Sequence, residues 1–237
     1  MRFVSILGDS VSTYEGYNPQ GYSVFYDAEM QQKNGLNSVY DTWWAKVNQA
    51  LHAYLCVNNS YSGSRVTGKT FPSGSSDERI LNLRTVEYQP DIILVYLGFN
   101  DFGYNVPVSL KVVENLYSLA GLDIDQENFD DFFEDAYDRM TKKLRSCYPS
   151  AAIVCGTLMR TKIKDQDWNF PNYSLGGSFE SYNDVIKTMS RKNGCYLADL
   201  SLSDERYETL DSSHPTAQGH ITFAQAWIRC LKNLGLL

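Results

Sequence analysis

Pro90-Asp91-Ile92-Ile93-Leu94-Val95-Tyr96-Leu97-Gly98-Phe99-Asn100-Asp101 is the stretch whose reading decides the fold. From Ile92 to Leu97 the run is aliphatic and β-branched almost without interruption, as in a strand covered on both faces. Such a strand belongs to a parallel sheet flanked by helices. Pro90-Asp91 marks its entry. Gly98-Phe99-Asn100-Asp101 marks its carboxyl end, the side on which open α/β sheets bind ligands.

Toward the N-terminus, Phe3-Val4-Ser5-Ile6-Leu7 reads as the first strand and ends in Gly8-Asp9-Ser10. A helix over 41–52 places Trp44, Val47 and Leu51 toward the core, and Ala53-Tyr54-Leu55-Cys56-Val57 is the second strand. A short helix over 76–86, with Ile80, Leu81 and Leu83 apolar, leads to the central strand. Toward the C-terminus, 102–128 reads as loop with a short helical piece. A helix over 129–147 follows, acidic at Asp130, Asp131 and Glu134 and basic at Arg139, Lys142, Lys143 and Arg145, which suits a solvated face aligned with the helix dipole.

Ala151-Ala152-Ile153-Val154-Cys155 is the fourth strand and Cys195-Tyr196-Leu197-Ala198 the fifth, with a helix over 179–192 between them. Pro215 is expected at the first position of a final helix whose inner face carries Ile221, Ala224, Ile228 and Leu231. Strands alternating with helices imply a parallel sheet with helices on both faces.

The chain has 237 residues, 43% hydrophobic and 21% charged, which suits one domain spanning 1–237. A net charge of -7 and a pI near 5.0 argue against nucleic acid or an anionic membrane as partner, and for a small molecule. No apolar run approaches the roughly 18 residues of a membrane span. The first strand is expected directly after Met1-Arg2, so no signal peptide is expected in this stretch. Five cysteines without CxxC spacing suggest reduced thiols and a cytoplasmic protein, with no disulfide frame or zinc site.

Several polar residues fall where the sheet's carboxyl edge should be. Ser10 ends a buried strand, a good mount for a nucleophile, although Gly8-Asp9-Ser10 also reads as a plain strand-to-helix turn with an N-cap. Gly63 lies in the polar end of the second strand, where backbone N–H groups can face a ligand, and Arg65 nearby reads as a loop cap or an anion contact. His214 stands just before a rigid element with Asp211 three residues earlier. The other histidines, His52 and His220, have no such setting. Asp9 and Asp101 read as loop braces, and His220 as a packed or capping residue. Asp211, His214 and His220 match no familiar zinc spacing, so no metal is expected. Two aromatic loops flank this edge. One spans 11–40 with Tyr14, Tyr17, Tyr22, Phe25, Tyr26 and Tyr40, and the other spans 157–178 with Arg160, Trp168, Phe170 and Tyr173. They either wall a pocket or pack the loops down.

Gly8-Asp9-Ser10, Gly63, Gly98-Phe99-Asn100-Asp101 and Asp211-Ser212-Ser213-His214-Pro215 resemble, in order and over nearly the whole chain, the blocks of the SGNH hydrolases, the GDSL esterases and lipases. The resemblance implies a flavodoxin-like three-layer α/β/α sandwich with a five-stranded parallel sheet of order 2-1-3-4-5, and one hydrolase domain. It implies cleavage of a carboxylic ester through an acyl-enzyme, without a cofactor. Ser10 would be the nucleophile, His214 the base and Asp211 its orienting carboxylate. The oxyanion donors would be the N–H groups of Ser10 and Gly63 and the side-chain amide of Asn100. The family often has Leu after this Ser and Gly soon after; here Val11 follows and the next glycine is Gly16.

The substrate is not carried over with the resemblance. Tyr, Trp, Asn and Arg in the flanking loops favour a short acyl or acetyl ester on a carbohydrate, whereas a deep apolar channel would favour a lipid or thioester. Two readings of other classes compete. A flavin-type cofactor could sit on Ser10-Val11-Ser12-Thr13, and a binding module could keep the fold without turnover. The first leaves Asn100, Asp211 and His214 unexplained.

Overall fold

The computed structural model describes residues 1–121, 131–171 and 177–237. Five parallel strands form the main sheet: β1 (Phe3–Gly8), β2 (Tyr54–Asn58), β3 (Ile92–Tyr96), β4 (Ala152–Gly156) and β7 (Tyr196–Ala198), in the order β2-β1-β3-β4-β7. This is the expected 2-1-3-4-5 arrangement, its fifth strand becoming β7 because β5 (Thr161–Ile163) and β6 (Gln166–Asp167) precede it in the chain. All five residues of β3 are buried, as its unbroken apolar run requires.

Among the described residues, the helices are α1 (Ala28–Asn34), α2 (Trp43–Ala50), α3 (Asp77–Leu81), α4 (Phe99–Gly103), α5 (Leu110–Ala120), α6 (Phe133–Cys147), α7 (Phe179–Lys192) and α8 (Ala217–Asn233). Packing of α6 against α3 and α7, and of α2 against α8, makes the two outer layers of an α/β/α sandwich. Side-chain caps fix where these helices start: Thr42 accepts from Ala45 N, Ser178 from Ser181 N and Thr216 from Gly219 N. No described helix is long and apolar enough to cross a membrane.

Several expectations need correction. Thr216, not Pro215, opens α8; Pro215 lies outside the helix and bridges to Thr209. The inner face of α8 carries His220, Phe223, Ala224, Trp227 and Leu231, while Ile221 is exposed. The segment after β3 is more helical than expected, because Ser109 caps the eleven-residue α5. A second, three-stranded sheet joins β5, β6 and β8 (Tyr207–Thr209), with β5 parallel to β8. The end of the expected 102–128 loop, the expected helix start at 129 and Tyr173 lie outside the described residues.

Register aligns the strand ends that matter. Gly8 pairs with Tyr96 and Ile6 with Asn58, so the segments leaving β1, β2 and β3 start at one level of the sheet.

Candidate active site

β1 stops at Gly8 for a steric reason. A Cβ there would lie 2.6 Å from Ser12 Oγ and 2.9 Å from Ser60 Oγ, so only glycine lets the chain turn this tightly. Residues Ser10–Ser12 then form one 3-10 turn, capped by Asp9, whose Oδ1 accepts from Val11 N at 3.1 Å. Thr13 closes it by donating from Oγ1 to the Ser10 carbonyl at 2.9 Å. Asn58 Nδ2 holds the Ser12 carbonyl at 2.8 Å from the β2 side. Ser10 is therefore fixed on a short rigid corner.

His214 comes from the other end of the chain. Its Nε2 is 2.8 Å from Ser10 Oγ, and its Nδ1 is 2.7 Å from Asp211 Oδ2. The second Asp211 oxygen accepts the backbone N–H groups of His214 at 2.8 Å and Ser213 at 3.0 Å. Burial works to raise the Asp211 carboxyl, but the hydrogen bonds and charge of His214, together with the Ser213 N–H, outweigh it and hold the group at about 2. Asp211 is thus a carboxylate at neutral pH, able to keep a proton on His214 Nδ1 and leave Nε2 to accept one from Ser10. Between them Ser212 takes φ +78, a left-handed conformation unusual for serine. Its carbonyl is held by Thr161 Oγ1 of β5 at 2.8 Å and its N–H by Thr209 Oγ1 of β8 at 3.1 Å. The small second sheet thereby grips the Asp211–His214 turn.

Gly63 and Asn100 occupy the adjoining loops. Gly63 has φ +77, and among the described residues neither its N–H nor that of Ser10 has an acceptor. Asn100 sits in the first turn of α4, after Gly98 at φ +122, where a Cβ would meet the Phe133 ring at 2.9 Å. The Asn100 amide donates one hydrogen to the Ser64 carbonyl at 2.9 Å, and its second has no acceptor among the described residues. Tyr61 N donates to the Gly8 carbonyl at 3.2 Å, tying the Gly63 loop to the Ser10 corner. Buried Asp101 accepts from Val66 N at 2.8 Å and from Thr67 N at 3.0 Å, which braces the far side of that loop. The structure therefore brings Ser10, Asp211 and His214 into one hydrogen-bonded line and sets Gly63 and Asn100 beside them on linked loops.

Asp9 and His220 have structural contacts. Asp9 is wholly buried, its Oδ2 lacks a partner among the described residues, and burial pushes its carboxyl up to about 7 against the Val11 N–H and the charges of His214 and Arg79. His220 Nδ1 accepts from Trp43 N at 3.1 Å, at the start of α2; burial pushes this imidazole down to about 3. Arg65 lies over the Tyr104 ring, 5.7 Å from its centroid.

Sequence reasoning missed two residues. Arg79 of α3, wholly buried, donates to the carbonyls of Gly8, Asn59 and Pro72; burial lowers its guanidinium to about 10. Phe25 lies flat on the His214 ring. No periodicity marks either one; membership of the aromatic 11–40 loop was the sole signal for Phe25. The other aromatics of that loop divide. Tyr14 and Tyr26 are buried and pack it down, Tyr17 turns to Trp44, and Tyr22 joins Tyr61 and Phe71 beyond the Gly63 loop.

Comparison with known proteins bears on the family and the fold. The model of the GDSL-like Lipase/Acylhydrolase family matches residues 2–170. Among solved structures, a protein of Bacteroides ovatus assigned as a GDSL-like lipase is similar with a TM-score of 0.70 at 22% identity, over 98% of this chain and 99% of the other. A second, from Bacteroides uniformis and assigned in the same way, gives 0.68 at 27% identity, over 100% and 97%. An active-site mutant of a family two carbohydrate esterase from Clostridium thermocellum gives 0.57 at 19% identity, over 100% of this chain and 65% of that one. A search of curated proteins finds no match.

Proposed function

The chain belongs to the GDSL-like lipase/acylhydrolase family, and from that premise we propose that it hydrolyses short-chain carboxylic esters through an acyl-enzyme on Ser10. The observation that carries this reading is the hydrogen-bonded line from Asp211 through His214 to the Ser10 hydroxyl, at 2.7 and 2.8 Å. Ser10 Oγ attacks the ester carbonyl carbon while its proton passes to His214 Nε2. Asp211 stabilises the resulting imidazolium. The carbonyl oxygen, now negative, takes hydrogen bonds from Ser10 N–H, Gly63 N–H and the free hydrogen of the Asn100 amide. Collapse expels the alcohol, which takes the proton from His214. Water repeats the sequence on the acyl-enzyme, releasing the carboxylic acid and restoring Ser10.

For the substrate, we favour an acetyl or similar short acyl group on a carbohydrate. Two features support this. Tyr22, Tyr61 and Phe71 form a trio with ring centroids 5.1 to 5.4 Å apart beside the Gly63 loop, and the two tyrosine hydroxyls have no partner among the described residues; such rings stack on sugar faces. Beside Asn100, by contrast, Phe99, Phe102, Phe170 and Phe179 pack on one another, with Phe170 and Phe179 stacked at 4.2 Å. These four rings occupy apolar volume that a long acyl chain would need.

A panel of p-nitrophenyl esters of increasing acyl length, together with acetylated sugars, tests the reading on the native protein, Ser10→Ala and His214→Ala. The expected result is turnover of acetyl esters by the native protein alone, and labelling of Ser10 by a serine-directed phosphonate. Activity that climbs with acyl length would shift the reading to a lipid or thioester substrate. A native protein inert to esters and phosphonate alike would refute hydrolysis, and full activity in Ser10→Ala would refute the nucleophile.

A further inference from the structure

Phe25, in the loop between β1 and α1, takes no part in the chemistry above, yet its ring covers one face of the His214 imidazole. The centroids are 3.4 Å apart and the planes 5° from parallel. A centroid separation no greater than the thickness of a π-system leaves almost no lateral offset. Two neutral rings avoid such a sandwich, because the negative faces of their quadrupoles meet. A cation over the same face is attracted. The stack is therefore better matched to the imidazolium that forms when His214 takes the Ser10 proton than to the neutral ring before it. An interaction stronger in the transition state than in the ground state raises kcat.

The placement of Phe25 is coupled to the nucleophile by hydrogen bonds. Phe25 N donates to Thr13 Oγ1 at 2.9 Å, and that hydroxyl donates to the Ser10 carbonyl at 2.9 Å. His214 Nε2 and Ser10 Oγ, 2.8 Å apart, close the circuit. Next to Phe25, the Tyr26 ring packs edge-on at 4.9 Å and its hydroxyl donates to the Pro215 carbonyl at 2.7 Å, fixing the residue after His214. Phe25 and Tyr26 thus hold the His214-Pro215 segment at two points, one on the ring and one on the backbone.

We infer that Phe25 is a positioning residue for His214, one that keeps the imidazole in the plane joining Asp211 to Ser10 and favours its protonated form during turnover. The inference rests on the hydrolase reading above. Phe25→Leu keeps an apolar side chain but removes the π face, and Phe25→Tyr keeps that face. With p-nitrophenyl acetate, Phe25→Leu is expected to lower kcat by roughly 3- to 30-fold, the size of a partly desolvated cation–π contact. KM should stay within about twofold, and Phe25→Tyr should recover most of the loss. By NMR, the His214 ring protons beneath Phe25 should be displaced upfield in the native protein and in Phe25→Tyr, but not in Phe25→Leu.

A Phe25→Leu variant with native kcat overturns the inference, as does a loss confined to KM, which would make Phe25 a wall of the substrate site. Absence of the upfield displacement in the native protein overturns it independently of activity. A native protein inert to the ester and to phosphonate sinks the hydrolase reading and this inference with it, and the NMR displacement would then record packing only.

Discussion

Arg79 Nη2 donates to the Gly8 carbonyl at 2.7 Å from a guanidinium that has no exposed surface. The same group bonds the Asn59 carbonyl from both Nε and Nη2 and the Pro72 carbonyl from Nη1, with no ion-paired carboxylate among the described residues. One buried cation thus joins the ends of β1 and β2, the two strands whose loops carry Ser10 and Gly63. Arg79→Met should destabilise the protein by about 3–5 kcal/mol, since it strips donors from buried carbonyls. Arg79→Lys should recover only part, lacking the planar fork. Urea denaturation measures both, and a loss below about 1 kcal/mol for Arg79→Met would show that water or relaxation replaces the guanidinium.

Asn100 holds the Ser64 carbonyl with one amide hydrogen, and in the proposed mechanism the other hydrogen binds the developing oxyanion. Asn100→Ala should reduce kcat by about 10²–10³, the usual cost of one oxyanion donor. Its stability cost should be only about 1 kcal/mol for the lost Ser64 bond. A fall in kcat of less than about tenfold would exclude the amide from transition-state binding.

Two buried groups should give the stability profile opposing slopes. Unfolded His220 gains a proton below about 6.5, whereas the folded form resists until about 3, so its contribution is complete above 6.5 and is lost as pH falls. Asp9 behaves in the reverse sense: its carboxyl keeps a proton up to about 7 when folded but only to about 3.8 when unfolded. Its contribution is complete below 3.8 and is lost as pH rises through 7. Between roughly pH 4 and 6.5 the two slopes oppose each other, each near 1.4 kcal/mol per pH unit. Relative to the native protein, Asp9→Asn should gain stability as pH rises through that window, and His220→Gln should gain it as pH falls. Denaturation at pH 4.5 and 6.5 tests both signs; parallel curves for the native protein and Asp9→Asn would mean that Asp9 titrates alike folded and unfolded.

The parts of this molecule that are legible in sequence are those whose geometry is local. The all-apolar run of β3 announces a doubly covered strand, and Asp211 lies close enough in sequence to His214 to accept its backbone N–H while its other oxygen meets the ring. Such a turn carries its own geometry. Arg79 is illegible because its partners lie in three segments up to 71 positions away, and a lone arginine in a short helix reads as a surface charge. The second sheet is illegible because β5, β6 and β8 have three residues or fewer, too short for any period to register. Pro215 misled for a related reason. Its fixed φ suits the first residue of a helix, but pairing with Thr209 holds it in extended backbone, and Thr216 takes over the cap.

Ser10 and His214 are separated by 204 positions, and the hydrogen bond between them has a consequence for how the protein is made. During synthesis the Ser10 corner leaves the ribosome long before the turn that bears His214, so the growing chain carries its serine without the imidazole that would activate it. Reactivity cannot build up gradually along the emerging polypeptide. In the proposed mechanism it begins when the segment bearing His214 docks, and a serine-directed probe applied to stalled chains would report that docking rather than the extent of translation.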